Sequence, residues 1–378
     1  MDESELKILI LTSRFELRGS STYTLRLAEH LPEHRISPRI ICIDASRVDS
    51  ERREHLNIRE YPYLNLPILG HLTRALVLRE NMEWKPDLIH IHSCNMLAAG
   101  VWLAQRFNCP YLLTVHDVLP KNFRLKFQPS ENNRLIAVSN PVKTVLKDRL
   151  GLRDEDVTVI HCGVEIPTKP LSSSLPVLDP GHRPVVGVAG PLEAIKGLPF
   201  FLGAAQRVLA QTENVEFLIC GAGPEEANLR RLAKELNISE HVVFVPNLVD
   251  VTEPLQAMDI FCLPSIQQGL GTIMLEAMAQ GKPVIASGVG GVFSVIRDQE
   301  TGLVVPPSNS EALAQKILEL LNDPVRARAL GEAGRKLVQE KFSSEQMVAQ
   351  TVALYRELIA NRKSRTSSLP QMAEVGNG

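Results

Sequence analysis

The sequence predicts an α/β protein built from two tandem Rossmann-like domains, and three observations carry that prediction. The 378 residues exceed one ordinary core and suit two domains of typical size. Short apolar runs alternate with longer stretches of helical period, as parallel βαβ units require. A Pro- and Ser-rich segment without any period splits this alternation into two series.

The first series is "KILILT" from Lys7, "RIICID" from Arg39, "DLIHIH" from Asp87, "YLLTVH" from Tyr111, "RLIAVS" from Arg134 and "VTVI" from Val157. Each run is short and followed by a helical pattern, so residues 1–166 read as one domain. The segment from Glu165 to Pro184, "EIPTKPLSSSLPVLDPGHRP", reads as the interdomain linker. The second series is "PVVGVAG" from Pro184, "VEFLIC" from Val215, "VVFVP" from Val242, "DIFCLP" from Asp259, "KPVIAS" from Lys282 and "GLVVP" from Gly302, giving a second domain over 184–343. Helical patterns fill most of Ser310 to Asn361, and the last opens at "SSEQM" with Ser344 as its expected N-cap. The tail 363–378 has too little apolar content to fold and is expected to be disordered.

A composition of 44% hydrophobic and 22% charged residues is that of a globular protein rather than a disordered or membrane one. The formal charge of -2, with no run of Lys and Arg interleaved with aromatics, argues against a nucleic-acid partner. The start, "MDESELK", is acidic, and the longest apolar stretch, Met96 to Ala104, is too short to span a bilayer. A cytoplasmic location is expected. "PKNFRLKFQP" from Pro120 sets Lys121, Arg124 and Lys126 around Phe123, Leu125 and Phe127. It is either a solvated loop or a patch facing an acceptor or the inner face of a membrane. Six scattered cysteines lack metal-ligand spacing and read as reduced core residues, so no metal site is expected.

In open α/β sheets ligands bind beyond the carboxyl ends of the strands, so two such sheets place a site in the cleft between them. Three motifs fall at such ends. "GTIMLEAMAQG" reads as a helix apolar on every side, the mark of burial, yet it carries Glu276. An ionised carboxylate there costs several kcal/mol, as an order of magnitude, unless it finds donors. Glu276 therefore either pairs with a buried cation or backbone amides, or accepts hydroxyls from a ligand. Gly269 and Gly271 just upstream allow a tight turn and expose backbone N–H groups suited to phosphate. "GPLEAIKG" delivers Lys196 near the start of a helix, either as surface charge or as an anion ligand. "GAGPEE", with Gly221 and Gly223, is a strand-to-helix turn that fits a nucleotide only weakly.

The order of these pieces is more specific than any one of them. A Lys-Gly loop, a GxGP turn, "DIFCLPS", a Gly-rich loop, "LEAMAQGKPVIAS" and "GVGG" follow one another, after "PDLIHIHS", "LLTVHD", "IAVSNPVKTVL" and "VTVIHCGVE" in the first half. The chain resembles the retaining, nucleotide-sugar-dependent glycosyltransferases of family 4, which have the GT-B fold of two Rossmann-like domains with a deep interdomain cleft. The resemblance runs from about Lys7 to Asn361 and is strongest over Gly187 to Gly291. It implies a C-terminal helix over 344–361 returning to the first, acceptor-binding domain, and a nucleoside-diphosphate sugar as co-substrate without a further cofactor. It implies a glycan or lipid-linked acceptor. Carried over, it makes Glu276 the carboxylate that grips the ribose hydroxyls, Lys196 a diphosphate ligand and His116 the histidine near donor sugar and acceptor. Gln268, Gly269, Leu270, Gly271 and Thr272 would contact donor sugar or phosphate, and Gly19 would lie in the cleft-facing loop after the first strand. His90 and His92 read as structural.

Three positions depart from the family pattern. Its signature is Glu, seven residues, Glu, and here the first position is Gln268. Its usual arginine after Gly190 is Pro191, and the loop "RGSS" has one glycine where two are common. An amide still accepts a hydroxyl hydrogen bond, so Gln268 remains able to orient a sugar. For the lost guanidinium, Arg14 or Arg18 are the cations in reach by sequence. These departures favour one alternative, a non-catalytic GT-B subunit that binds a partner or a glycan. Another enzyme on tandem Rossmann domains is the second alternative, and no GxGxxG with an acid about 20 residues on supports a dinucleotide version.

Overall fold

In a computed structural model of the chain, the described residues are 5–16, 19–119, 123–167, 182–246 and 252–368, the last six of these as backbone only. Most of the expected linker, Arg18, Lys121 and the tail beyond 368 lie outside the described residues. Apolar runs too short for helices become strands of two parallel sheets. The first sheet contains β1 (Leu6–Leu11), β2 (Ile36–Cys42), β3 (Ile58–Glu60), β4 (Leu88–Ile91), β5 (Tyr111–Val115), β6 (Asn133–Ala137) and β7 (Val157–Val159), in the order β3-β2-β1-β4-β5-β6-β7. The second contains β8 (Val185–Ala189), β9 (Glu216–Cys220), β10 (Val242–Val245), β11 (Ile260–Leu263), β12 (Val284–Ser287) and β13 (Leu303–Val305), in the order β10-β9-β8-β11-β12-β13. In each sheet the order reverses beside the first strand, at β1/β4 and at β8/β11. Those two crevices are where an open parallel sheet binds its ligands.

Pro38 lies inside β2 although it lacks an N–H. It is tolerated because β3 pairs only with Ile40–Cys42, leaving that edge of β2 uncovered at Pro38. Strands buried on both faces explain the near-continuous Ile, Leu and Val of β1 and β4.

The helix Thr272–Ala279 is buried, as its all-round apolarity requires. Its Met274, Leu275 and Met278 join the same continuous core as the first sheet. The two domains thus share apolar contact at the base of the cleft.

The chain passes between domains twice, and the two passages touch. Val164 pairs with Ser343, its N–H donating to Phe342 O at 2.9 Å while Ser344 N–H donates to Val164 O at 3.0 Å. Gly163 is needed there, since a Cβ would stand 2.5 Å from Ser344 Cα. The returning helix Ser344–Ser368 packs against the helix Gly19–His30 of the first domain. Two expectations shift. The N-cap is Ser343, whose Oγ accepts from Gln346 N–H at 3.3 Å, with Ser344 the first helical residue. The helix also continues through 363–368, which the sequence reading assigned to a disordered tail. Adding residues to a formed helix carries no nucleation cost, so an apolar stripe is not required.

The basic stretch after Pro120 forms no helix over 123–129. Leu125 and Phe127 are buried in the first-domain core while Arg124 and Lys126 are exposed, an extended segment of period two. Residues 123–129 form a loop in which Phe123 too is partly buried. Among the described residues no helix is long and apolar enough to cross one.

Candidate active site in the interdomain cleft

The carboxyl ends of β8 and β11 open into a cleft cavity holding about 810 Å³ of empty space, open mouth included. Gly190 and Pro191 after β8, Lys196, Ser265, Gln268 and the start of the Thr272–Ala279 helix line it from the second domain. Gly19, Ser20, His116, Asp117 and Cys162 line it from the first.

Lys196 ends a short 3-10 turn closed by Gly197, whose φ of 67° and close approach to Pro264 O exclude any side chain. Its Nζ donates to Gln268 Oε1 at 3.1 Å, and Ser265 Oγ lies 3.1 Å from the same oxygen as a second donor. The amide oxygen therefore fixes the lysine head at the cavity wall. Two of the departures from the family pattern, Pro191 and Gln268, line the same cavity as this cation.

Gly271 enters the helix with φ 90°, and no side chain caps the helix start. The first N–H groups, from Thr272 and Ile273, are carried by residues that line the cavity, which makes this end a ready anion site. Leu270 is buried and lines the same wall. Gly269 faces the first domain instead: a Cβ would stand 2.3 Å from His116 O, and its carbonyl accepts from Ser139 Oγ at 3.2 Å. Gly221 and Gly223 do not line the cavity. Cβ atoms there would strike the backbone of Gly190 and Leu192, so close packing of two loops accounts for both glycines.

Glu276, one turn beyond Thr272, is 8% exposed and is not among the cavity-lining residues. Its Oε1 lies 3.1 Å from Nη1 of Arg26, on the helix Gly19–His30 of the other domain. The buried-cation pairing that sequence reading left open is therefore present. Arg26 is a functional candidate that the sequence reading did not name. Its signal was available, because in "TLRLAEH" a lone cation sits between buried Leu25 and Leu27 as Glu276 sits among its own apolar neighbours. Arg14 is exposed, bridges to Asp44 through its backbone and does not reach the cavity.

Gly19 is the first residue of its helix rather than part of the preceding loop. The reason for glycine is contact with the other domain, since a Cβ would come within 2.4 Å of Thr272 Oγ1. His116 follows β5 with both ring nitrogens shielded from solvent and without hydrogen-bond partners among the described residues. Burial lowers its pKa to about 4, leaving a neutral imidazole at pH 7. Tyr23 stands edge-on to it, ring centroids 4.9 Å apart. Behind it, Thr24 Oγ1 donates to Ser20 O at 2.8 Å, which leaves its oxygen to accept from His92 Nδ1 at 2.7 Å. His90 bonds Tyr355 OH at 2.6 Å and Thr114 Oγ1 at 2.7 Å. Burial pushes both His90 and His92 well below the ordinary range. All six cysteines are unpaired, and among the described residues no three His, Cys, Asp or Glu side chains group to hold a metal ion.

Comparison with known proteins agrees with this architecture. A family model described as Glycosyltransferase Family 4 matches residues 17–166, and one described as Glycosyl transferases group 1 matches 176–337. Alpha-maltose-1-phosphate synthase of Mycolicibacterium smegmatis is 28% identical over 332 residues, covering 77% of this chain and 84% of that protein. A GDP-mannose-dependent monoacylated alpha-(1-6)-phosphatidylinositol monomannoside mannosyltransferase of Corynebacterium glutamicum is 38% identical over 43% of this chain and 45% of that protein. Among solved structures, a glycosyltransferase from Rickettsia africae ESF-5 superposes with a TM-score of 0.79 at 24% identity, covering 94% of this chain and 99% of that one. Anabaena Alr3699/HepE in complex with UDP-glucose gives 0.76 at 22% identity, covering 96% and 100%. At such identities the structures speak to the fold, which they share from end to end. With one model on each sheet and the cleft between them, the chain belongs to glycosyltransferase family 4, the glycosyl transferases group 1.

Proposed function

We propose that the chain transfers a sugar from a nucleoside-diphosphate sugar to an acceptor hydroxyl with retention of configuration, without a metal ion or further cofactor, in glycan, polysaccharide or glycolipid synthesis. The observation that carries this reading is one cavity that joins Lys196, an uncapped helix start and neutral His116 from opposite domains. Glu276 accepts the ribose hydroxyls; Lys196 and the first N–H groups of the Thr272–Ala279 helix meet the diphosphate. As the bond from the anomeric carbon to the diphosphate oxygen breaks, those groups stabilise the growing negative charge, a task that elsewhere falls to a metal ion. The acceptor oxygen bonds to the same face of that carbon and its proton passes to a leaving diphosphate oxygen. Positioning then matters more than a dedicated base. His116 and Gln268 hold sugar hydroxyls, and the contact of Gly19 with Thr272 and of Gly269 with His116 keeps water out when the domains are together.

The acceptor is a glycan or a lipid-linked sugar, the second in line with one relative that is named for a phosphatidylinositol monomannoside. The test is a thermal-shift screen against UDP-, GDP- and ADP-sugars without added metal, where a donor at 100 times its Kd stabilises by about 2.7 kcal/mol. One donor class should raise Tm, and Glu276→Ala should abolish both that shift and sugar transfer. Transfer unchanged in Glu276→Ala would sink the assignment. NMR of the new anomeric centre checks retention.

A further inference from the structure

Arg26 is bound on two sides. Its Nη1 donates to Gly163 O at 3.2 Å and lies 3.1 Å from Glu276 Oε1, while its Nε lies 4.0 Å from Glu165 Oε1. Gly163 and Glu165 belong to the passage from the first domain to the second, the segment paired with the returning chain at Val164 and Ser343. Glu276 lies on the second domain, at the helix whose first turn lines the cavity. The guanidinium thus ties the crossing point to the donor-side carboxylate, with 13% of the Arg26 side chain and 9% of the Glu276 side chain exposed. The pair spans two domains and exists only while they are together.

We propose that Arg26 is a positioning residue for the donor site, holding the Glu276 carboxylate in one orientation so that the ribose is gripped at full strength only in the closed arrangement. This rests on the reading that Glu276 binds ribose. A carboxylate offers about four acceptor positions, so a guanidinium contact does not by itself exclude a diol. A permanently charged guanidinium suits the role because its Nη1 meets the Gly163 carbonyl and the carboxylate while its Nε faces Glu165, a spread of contacts that a compact lysine head does less well. Donor binding and domain closure then share one side chain, and each favours the other.

The test is calorimetric titration of UDP, GDP and ADP into the wild-type chain, Arg26→Gln, Arg26→Lys, Glu276→Ala and the Arg26→Gln/Glu276→Ala double variant, with donor KM and kcat measured alongside. The nucleotide that binds the wild type should bind Arg26→Gln about 10- to 100-fold more weakly, as expected when a charge-assisted contact loses its partner. Donor KM should rise with kcat changed much less, and Arg26→Lys should recover part of the loss. On the Glu276→Ala background Arg26→Gln should add little, because the two act as one unit. Wild-type affinity in Arg26→Gln, beside weakened binding in Glu276→Ala, overturns the proposal alone. An equal loss from Arg26→Gln on both backgrounds also overturns it, since that is what a merely structural arginine would give. Wild-type affinity in Glu276→Ala, or no nucleotide binding to the wild-type chain, overturns the ribose reading and the proposal with it. Should Arg26→Gln not fold, Arg26→Met, of similar length, takes its place with the same expected outcomes.

Discussion

The two walls of the cleft hold their polar groups in opposite ways. On the second domain the groups are charged or carry a field: Lys196 on an amide oxygen, and a helix start without a side-chain cap. On the first domain the wall presents half-buried His116, held neutral by burial, beside the exposed Asp117, and behind it His90, His92 and Tyr23 are buried and kept neutral by the same cause. A cation is kept where anionic phosphate would lie, and desolvation there strengthens it. Of the neutral rings only His116 lines the cavity, and a histidine that stays neutral both donates and accepts. Arg26 is a first-domain charge that meets the second domain's Glu276. The contrast sets a charged wall on the second domain, Lys196 beside an uncapped helix start, against a neutral imidazole on the first.

The largest effect is expected on the charged wall. Lys196→Ala should lower kcat by about 100- to 1000-fold, the usual cost of removing one preorganised group from a developing charge. Substrate-saturated initial rates decide it. A loss confined to KM would mean that the lysine binds the ground state and the transition state equally, and the lysine would then serve binding alone.

The neutral wall is tested by acid. Burial depresses His90, His92 and His116, so below the unfolded pKa of about 6.5 the unfolded chain takes up protons that the folded chain refuses. Stability should therefore fall as pH drops from about 6.5 towards the folded value of about 4 for His116, and that histidine alone should contribute about 3 kcal/mol to the loss. His30 works in the opposite sense. Burial opposes its charge, but Glu165 and Glu33 outweigh that and raise its pKa, so its contribution is full below 6.5 and fades as pH rises through the raised value. Denaturant unfolding at pH 7, 6 and 5 should give decreasing stability. A flat or rising profile would mean that the three rings are not held neutral in the folded chain.

How much of this was legible in the sequence depended on whether the signal was local. Twelve apolar runs marked twelve strands because buried parallel strands need nearly unbroken apolar sequence; β3 escaped because Ile58–Glu60 has one apolar residue, whereas the equally short β7 and β13 are Val-Thr-Val and Leu-Val-Val. Lys196, Gln268 and Thr272 fell on one cavity because each sits at a strand end, and strand ends are readable. Glu276 and Arg26 each announced themselves as a charge in an apolar helix, but their pairing is set by how two domains dock, which no spacing encodes. The link from His90 to Tyr355 spans 265 residues for the same reason. Gly221 and Gly223 were legible as a strand-to-helix turn, Gly269 as part of a tight turn and Gly19 as a cleft-facing position, but that other loops or the other domain pack against them required the fold.

The smallest expected effect addresses why the charged wall tolerates two departures from the family pattern. Proline at 191 removes a positive charge and glutamine at 268 removes a negative one, so the formal charge around Lys196 is unchanged by the pair. The geometry gives this a mechanism: a carboxylate at 268 would stand where the amide oxygen now lies 3.1 Å from Lys196 Nζ and would compete with diphosphate for the lysine. Gln268→Glu alone should therefore weaken donor binding by about tenfold, the range of a partly exposed charge contact. Adding Pro191→Arg should restore it, because the new guanidinium supplies the charge that the carboxylate has claimed. Calorimetric titration of the four variants in this cycle measures the coupling directly. Tighter binding in Gln268→Glu would show that the position acts on the sugar rather than through the lysine, and the two departures would then have to be explained separately.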